Sequence, residues 1–75
     1  MTVIDVTCEM TAVVWKLEKS AGQTVSEGDI VMVLESMKME IPVEAPSSGR
    51  ITEMLAAEGD SVSEGEVLLR IEVEA

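Results

Sequence analysis

Gly22-Gln23-Thr24-Val25-Ser26-Glu27-Gly28-Asp29-Ile30-Val31 returns 37 residues later as Gly59-Asp60-Ser61-Val62-Ser63-Glu64-Gly65-Glu66-Val67-Leu68, with five of the ten positions identical. The same offset lays Val14 on Ile51, Leu17 on Met54, Leu34 on Ile71 and Glu35 on Glu72. Internal self-similarity at a fixed spacing is the mark of a duplicated unit. Two half-units, about 12–35 and 49–72, are each too short to bury an apolar face alone. Packed on each other about a pseudo-twofold axis, they would share one core.

The halves read as strands. Ile30 to Leu34 and Val67 to Ile71 are short apolar runs, partly β-branched and bounded by glycine and charged turn residues. Met39, Ile41 and Val43 alternate with Glu40, Pro42 and Glu44, the period-two pattern of a strand with one buried side. Pro42 cannot donate to a ladder, so that strand belongs at an edge or beside a bulge. Both Ser-Glu-Gly-acid segments read as tight turns in which Gly28 and Gly65 take a positive φ, and 45–49 is a further turn. Ile51 to Glu58 could make two helical turns, but Gly49 and Gly59 hem it in and its repeat partner is strand-like. The expected architecture is all-β, two small antiparallel sheets packed face to face, with Trp15 covering a partly exposed sheet face.

Composition bounds the function. The 75 residues form a single domain, 1–75, whose core is marginal at a size that buries only about 60% of the unfolded surface. Five basic residues face fifteen acidic ones for a net charge of −10, a field that repels phosphate backbones and anionic lipid, so neither nucleic acid nor a membrane is an expected partner. No histidine is present, which removes the commonest general base and metal ligand. Cys8 is the lone cysteine, so no intramolecular disulfide can form; a cytoplasmic location is expected, and Cys8 reads as a small hydrophobe or tolerated thiol. Asp60 to Gly65 has some calcium-loop character, but Val62 stands where an oxygen ligand is required.

The repeat also points to a place. A twofold relation between halves puts the connection around Lys38 at one extremity and the chain ends at the other. A tight hairpin there would ordinarily carry Asn-Gly or a similar glycine-bearing pair. The chain instead has Ser36-Met37-Lys38-Met39. Two thioethers beside a lysine at an exposed bend do nothing for the turn, and a broken local rule without visible gain points to function. Alternation makes Met39 compatible with core filling; Met37 has no such explanation.

Glu35-Ser36-Met37-Lys38-Met39-Glu40, followed by Ala45-Pro46 and Gly49 and bracketed by the two Val-x-x-Gly repeats, resembles the biotinyl/lipoyl attachment domains. The likeness spans about Val13 to Val73 and is strongest to biotin carboxyl carrier domains and small stand-alone attachment proteins. It implies a flattened β-barrel or sandwich of two four-stranded sheets, with an exposed lysine on the turn joining the halves. By that resemblance Lys38 is the covalent attachment point for biotin, loaded by a biotin protein ligase. Met37 and Met39 match the flanking positions that such ligases recognise, where lipoyl domains usually show Asp and Ala. The implied partners are that ligase and the biotin carboxylase and carboxyltransferase subunits between which the carrier moves a carboxyl group; the domain itself is not an enzyme. A lipoyl carrier, or an acceptor of both groups, is the alternative, and an unmodified interaction module is the third. Lys19 to Gln23 is too short for the thumb that some carriers insert. The family generally has glycine where this chain has Ala12.

The chemistry of the amine agrees with a carrier that is acted upon. A free lysine has a pKa of about 10.4, so on the order of one molecule in a thousand is nucleophilic at neutral pH, and deprotonation must come from a partner. Glu35, Glu40 and Glu44 near the bend read either as a solvated face or as a docking surface for basic partners.

Overall fold

A computed structural model of the chain describes residues 2–73. The β-branched and apolar runs form eight strands: β1 (Thr2–Thr7), β2 (Ala12–Leu17), β3 (Thr24–Val25), β4 (Ile30–Ser36), β5 (Met39–Glu44), β6 (Gly49–Met54), β7 (Ser61–Val62) and β8 (Val67–Val73). They build two four-stranded antiparallel sheets, ordered β1-β8-β6-β3 and β5-β4-β2-β7. Adding four to each strand number of one sheet, cyclically, generates the other. The all-β, two-sheet, internally repeated architecture read from the sequence is the one observed, and no helix occurs among the described residues.

The hydrogen bonds repeat with the strands. Gly22 N donates to Ile51 O at 2.7 Å, and Gly59 N donates to Val14 O at 2.8 Å. Gly28 N reaches Ala45 O at 2.9 Å, and Gly65 N reaches Cys8 O at 2.8 Å. Every partner lies 37 residues from its counterpart, and the donors of one half bond to acceptors of the other. The halves are therefore clasped, each satisfying turn amides that the other would leave unpaired. Gly28 and Gly65 adopt φ of 92° and 88°, the left-handed backbone expected of those turns.

Between the sheets lies one core. Val31, Met32, Ile51, Leu68, Leu69 and Ile71 are wholly buried, with Val14, Val25, Leu34 and Val62 packed among them. Cys8 is also buried, its thiol donating to the Met10 carbonyl at 2.6 Å. Pro42 sits on β5, an edge strand bonded only to β4. The symmetry takes in β1 and β5 as well, outside 12–35 and 49–72: Ile4 corresponds to Ile41 and Val6 to Val43.

Gly49 differs from the turn-closing role expected of it. It opens β6 without a positive φ, and a Cβ there would run into the Glu72 carbonyl oxygen and lie 2.9 Å from Ile71 Cγ2. Close backbone approach, rather than the turn, requires glycine. Its counterpart Ala12 also has no positive φ, so the departure from glycine at that position carries no left-handed strain.

Candidate functional site

The turn between halves is the most unusual feature of the backbone. Ser36 pairs with Met39 across β4 and β5, leaving Met37 and Lys38 as a two-residue loop. Their φ values are 51° and 67°, both positive, as a type I′ hairpin turn demands. These are the only non-glycine residues among those described with positive φ. A left-handed backbone costs an L-residue about 1–2 kcal/mol. The ladder below the turn holds both in place.

That geometry projects side chains into solvent. Met37 is 90% exposed and Met39 60%; Lys38 is exposed and forms no ion pair among the described residues. Exposing two thioethers has an unfavourable hydration cost that no packing in the chain returns. Alternation suggested that Met39 could fill the core, and it does not. Ile41 and Val43 on the same strand are half-buried, but Met39 pairs with the last residue of β4, beyond the point where the opposite sheet covers the barrel. Glu35, Glu40 and Glu44 are all exposed, with Glu35 directly across from Glu40.

Sequence reasoning overlooked the brace under the turn. Ser36 Oγ donates to the Thr11 carbonyl at 3.3 Å, tying the end of β4 to the β1–β2 connection. Only the fold brings Thr11 to Ser36, so no local pattern could have disclosed it. The pair Thr2 and Val73, pseudo-equivalent to Met39 and Ser36, brings the two ends of the described chain together at the corresponding place in the other sheet.

A groove of about 400 Å³ opens between the edge strands β1 and β5, lined by Val6, Cys8, Leu34, Ile41 and Val43. It is mainly apolar and does not contain Lys38. The chemistry at the tip is thus that of one primary amine, held out on a fixed Cα by a flexible four-carbon stem.

Comparison with known proteins gives a consistent result. The family model described as "Biotin-requiring enzyme" matches residues 2–71. The chain is 46% identical over 66 residues to the biotin/lipoyl attachment protein of Bacillus subtilis, covering 88% of this chain and 90% of that one. It is 38% identical over 64 residues to the biotinylated protein TB7.3 homolog of Mycobacterium leprae, covering 85% and 90%. Among solved structures, the urea carboxylase of Kluyveromyces lactis superposes with a TM-score of 0.88 at 32% identity, over 96% of this chain but only 6% of that much longer one. The lipoyl domain of the 2-oxoglutarate dehydrogenase complex from Azotobacter vinelandii superposes with a TM-score of 0.75 at 28% identity, over 87% and 82%.

Proposed function

The chain belongs to the biotin/lipoyl attachment family, and from that premise we propose that it is a biotin carrier loaded on Lys38 by a biotin protein ligase. The observation that carries this reading is the exposed Lys38, in no ion pair among the described residues, between two exposed methionines on a turn with unfavourable backbone angles. Strain kept at a surface tip serves presentation, since it fixes where the amine leaves the protein. The residues fit the cofactor: among the described residues no carboxylate bridges Lys38 Nζ, so no ion pair has to break before an amide forms there.

In the loading step the Lys38 ammonium gives up one proton within the ligase, the free amine forms an amide bond to the activated carboxyl of its donor, and the activating group leaves as an anion while the nitrogen loses a second proton. Loss of the ammonium makes the net charge one unit more negative than −10. Bound biotin supplies a ureido nitrogen able to hold a carboxyl group; the protein supplies reach and orientation. Tethering raises the effective concentration of the group at each site the arm can enter, here a biotin carboxylase and a carboxyltransferase. Similarity to part of urea carboxylase and of the acyl-coenzyme A carboxylase alpha3 subunit of Mycobacterium leprae supports partners of this type.

A lipoyl carrier is the second reading, favoured by the superposition on a lipoyl domain and by likeness to a biotin/lipoyl attachment protein. Met37 and Met39 favour biotin. Parallel incubation of the unmodified chain with biotin protein ligase, biotin and ATP, and with lipoate ligase, lipoate and ATP, tests the choice. Faster conversion with biotin supports the first reading; conversion with lipoate alone overturns it in favour of the second.

A further inference from the structure

The pseudo-twofold axis gives this molecule an internal control, because two sheets with the same backbone carry different outer faces. On the sheet containing β8, the row Asp5, Arg70, Glu53 closes on itself: Arg70 Nε donates to Asp5 at 3.0 Å and Nη1 to Glu53 at 3.3 Å. These bonds, Asp5 first, raise the guanidinium pKa. The row above it, Val3, Glu72, Arg50, sets an arginine beside a glutamate.

The corresponding rows on the other sheet are Pro42, Val33, Lys16 and Glu40, Glu35, Val13. Arg70 has become Val33, Asp5 has become Pro42, and Arg50 has become Val13. Trp15, 50% exposed, replaces Thr52 at the matching bulge. The backbone makes the same demands on both faces, and one meets them with cross-strand ion pairs, whereas on the other Lys16 pairs with Glu18 at the end of its own strand. Folding therefore does not account for the apolar strip of Val13, Trp15, Val33 and Pro42. Nor does it account for Glu35 opposite Glu40 with no cation between them, a like-charge cross-strand pair that is unfavourable in isolation. Aromatic and apolar side chains in a patch with unbalanced charge beside it fit a protein partner with an apolar centre and flanking cations.

We infer that this face, on the outside of β5-β4-β2-β7, is where the enzyme that loads Lys38 docks. The inference rests on the carrier reading above. Before loading, the reacting nitrogen has only its own four-carbon stem, so the loading enzyme must press close to the protein beside the tip. Enzymes that meet the loaded form have the added length of the arm and can work at a greater distance. Glu35 and Glu40 lie on the strands that run directly into the Ser36–Met39 pair, and Val13 on β2 sits beside Glu35, so the face is continuous with the tip.

The other sheet supplies replacements that this backbone already accommodates. Val13→Arg with Trp15→Thr copies Arg50 and Thr52 onto the apolar face; Arg50→Val with Thr52→Trp does the reverse on the ion-paired face. Each variant of the 75-residue chain is loaded by biotin protein ligase with biotin and MgATP, and its folding is followed by thermal melting. The first variant is expected to lose roughly tenfold or more in kcat/KM through a raised KM. The reverse variant is expected to stay within about twofold of wild type. Trp15→Thr alone serves if the double variant melts early, with the same direction expected.

Wild-type kinetics in the Val13→Arg/Trp15→Thr protein would overturn the docking surface while leaving Lys38 as the loaded residue. Equal losses from both faces would overturn it too, as a general effect on the fold. Self-association through this face, abolished by the variant with loading unchanged, would make the occupant a second copy and overturn the proposal. A wild-type chain that is never loaded at Lys38 removes the carrier reading and this inference together.

Discussion

Ser36 and Met39 face each other as the last cross-strand pair before the Met37–Lys38 turn, and Ser36 is tied through its hydroxyl to Thr11. The amine therefore leaves the protein from a braced platform rather than from a loose loop.

Relief of the turn should separate stability from loading. Asparagine tolerates the left-handed region better than methionine. Met37→Asn is expected to gain about 0.5–1 kcal/mol, a rise of several degrees in Tm for a domain of this size, and to be biotinylated more slowly. Differential scanning calorimetry and initial loading rates test both halves of the expectation. A lower Tm would mean that Met37 stabilises the turn through contacts the structure does not show.

Met37→Asp with Met39→Ala should keep the fold, because both side chains are solvent-exposed and neither belongs to the core. Its circular dichroism spectrum should match wild type while its biotinylation rate falls. Undiminished biotinylation would remove the two methionines from recognition.

Gly49 and Ala12 should respond unequally to exchange. Gly49→Ala drives a Cβ into the Glu72 carbonyl and against Ile71, and is expected to cost about 1–3 kcal/mol. Ala12→Gly loses only the usual strand penalty of about 0.5–1 kcal/mol. Urea denaturation of both would show whether the two halves are packed unequally at this point; equal costs would contradict it.

Ile71 lies between Ile4 and Ile51 in adjacent strands and is fully buried. Ile71→Ala is expected to cost about 2–5 kcal/mol, a large share of the about 4–11 kcal/mol typical for this length. A melting curve shifted by only a few degrees would show a core able to collapse around the loss.

Much of this was legible in the sequence because turns repeat more faithfully than strands do. The two Val-x-x-Gly segments set an offset of 37, and Lys38 at the junction followed from it. β1 was not read as part of the repeat, since its resemblance to β5 reduces to Ile4 with Ile41 and Val6 with Val43. Met39 misled because alternation tells which side a residue takes, not whether the opposite sheet extends far enough to cover it. The contrast between Arg70 and Val33 was hidden for another reason. Its meaning lies in cross-strand register, which brings Asp5, Arg70 and Glu53 together from three separate strands.

The central claim concerns one nitrogen. Intact mass and peptide mapping of the chain after exposure to biotin protein ligase, biotin and ATP, with Lys38→Arg run in parallel, address it directly. The account predicts a single biotinyl group on the peptide carrying Lys38 and an unmodified, equally folded Lys38→Arg protein. A biotinyl group on Lys16 or Lys19, or one that persists in Lys38→Arg, would contradict it.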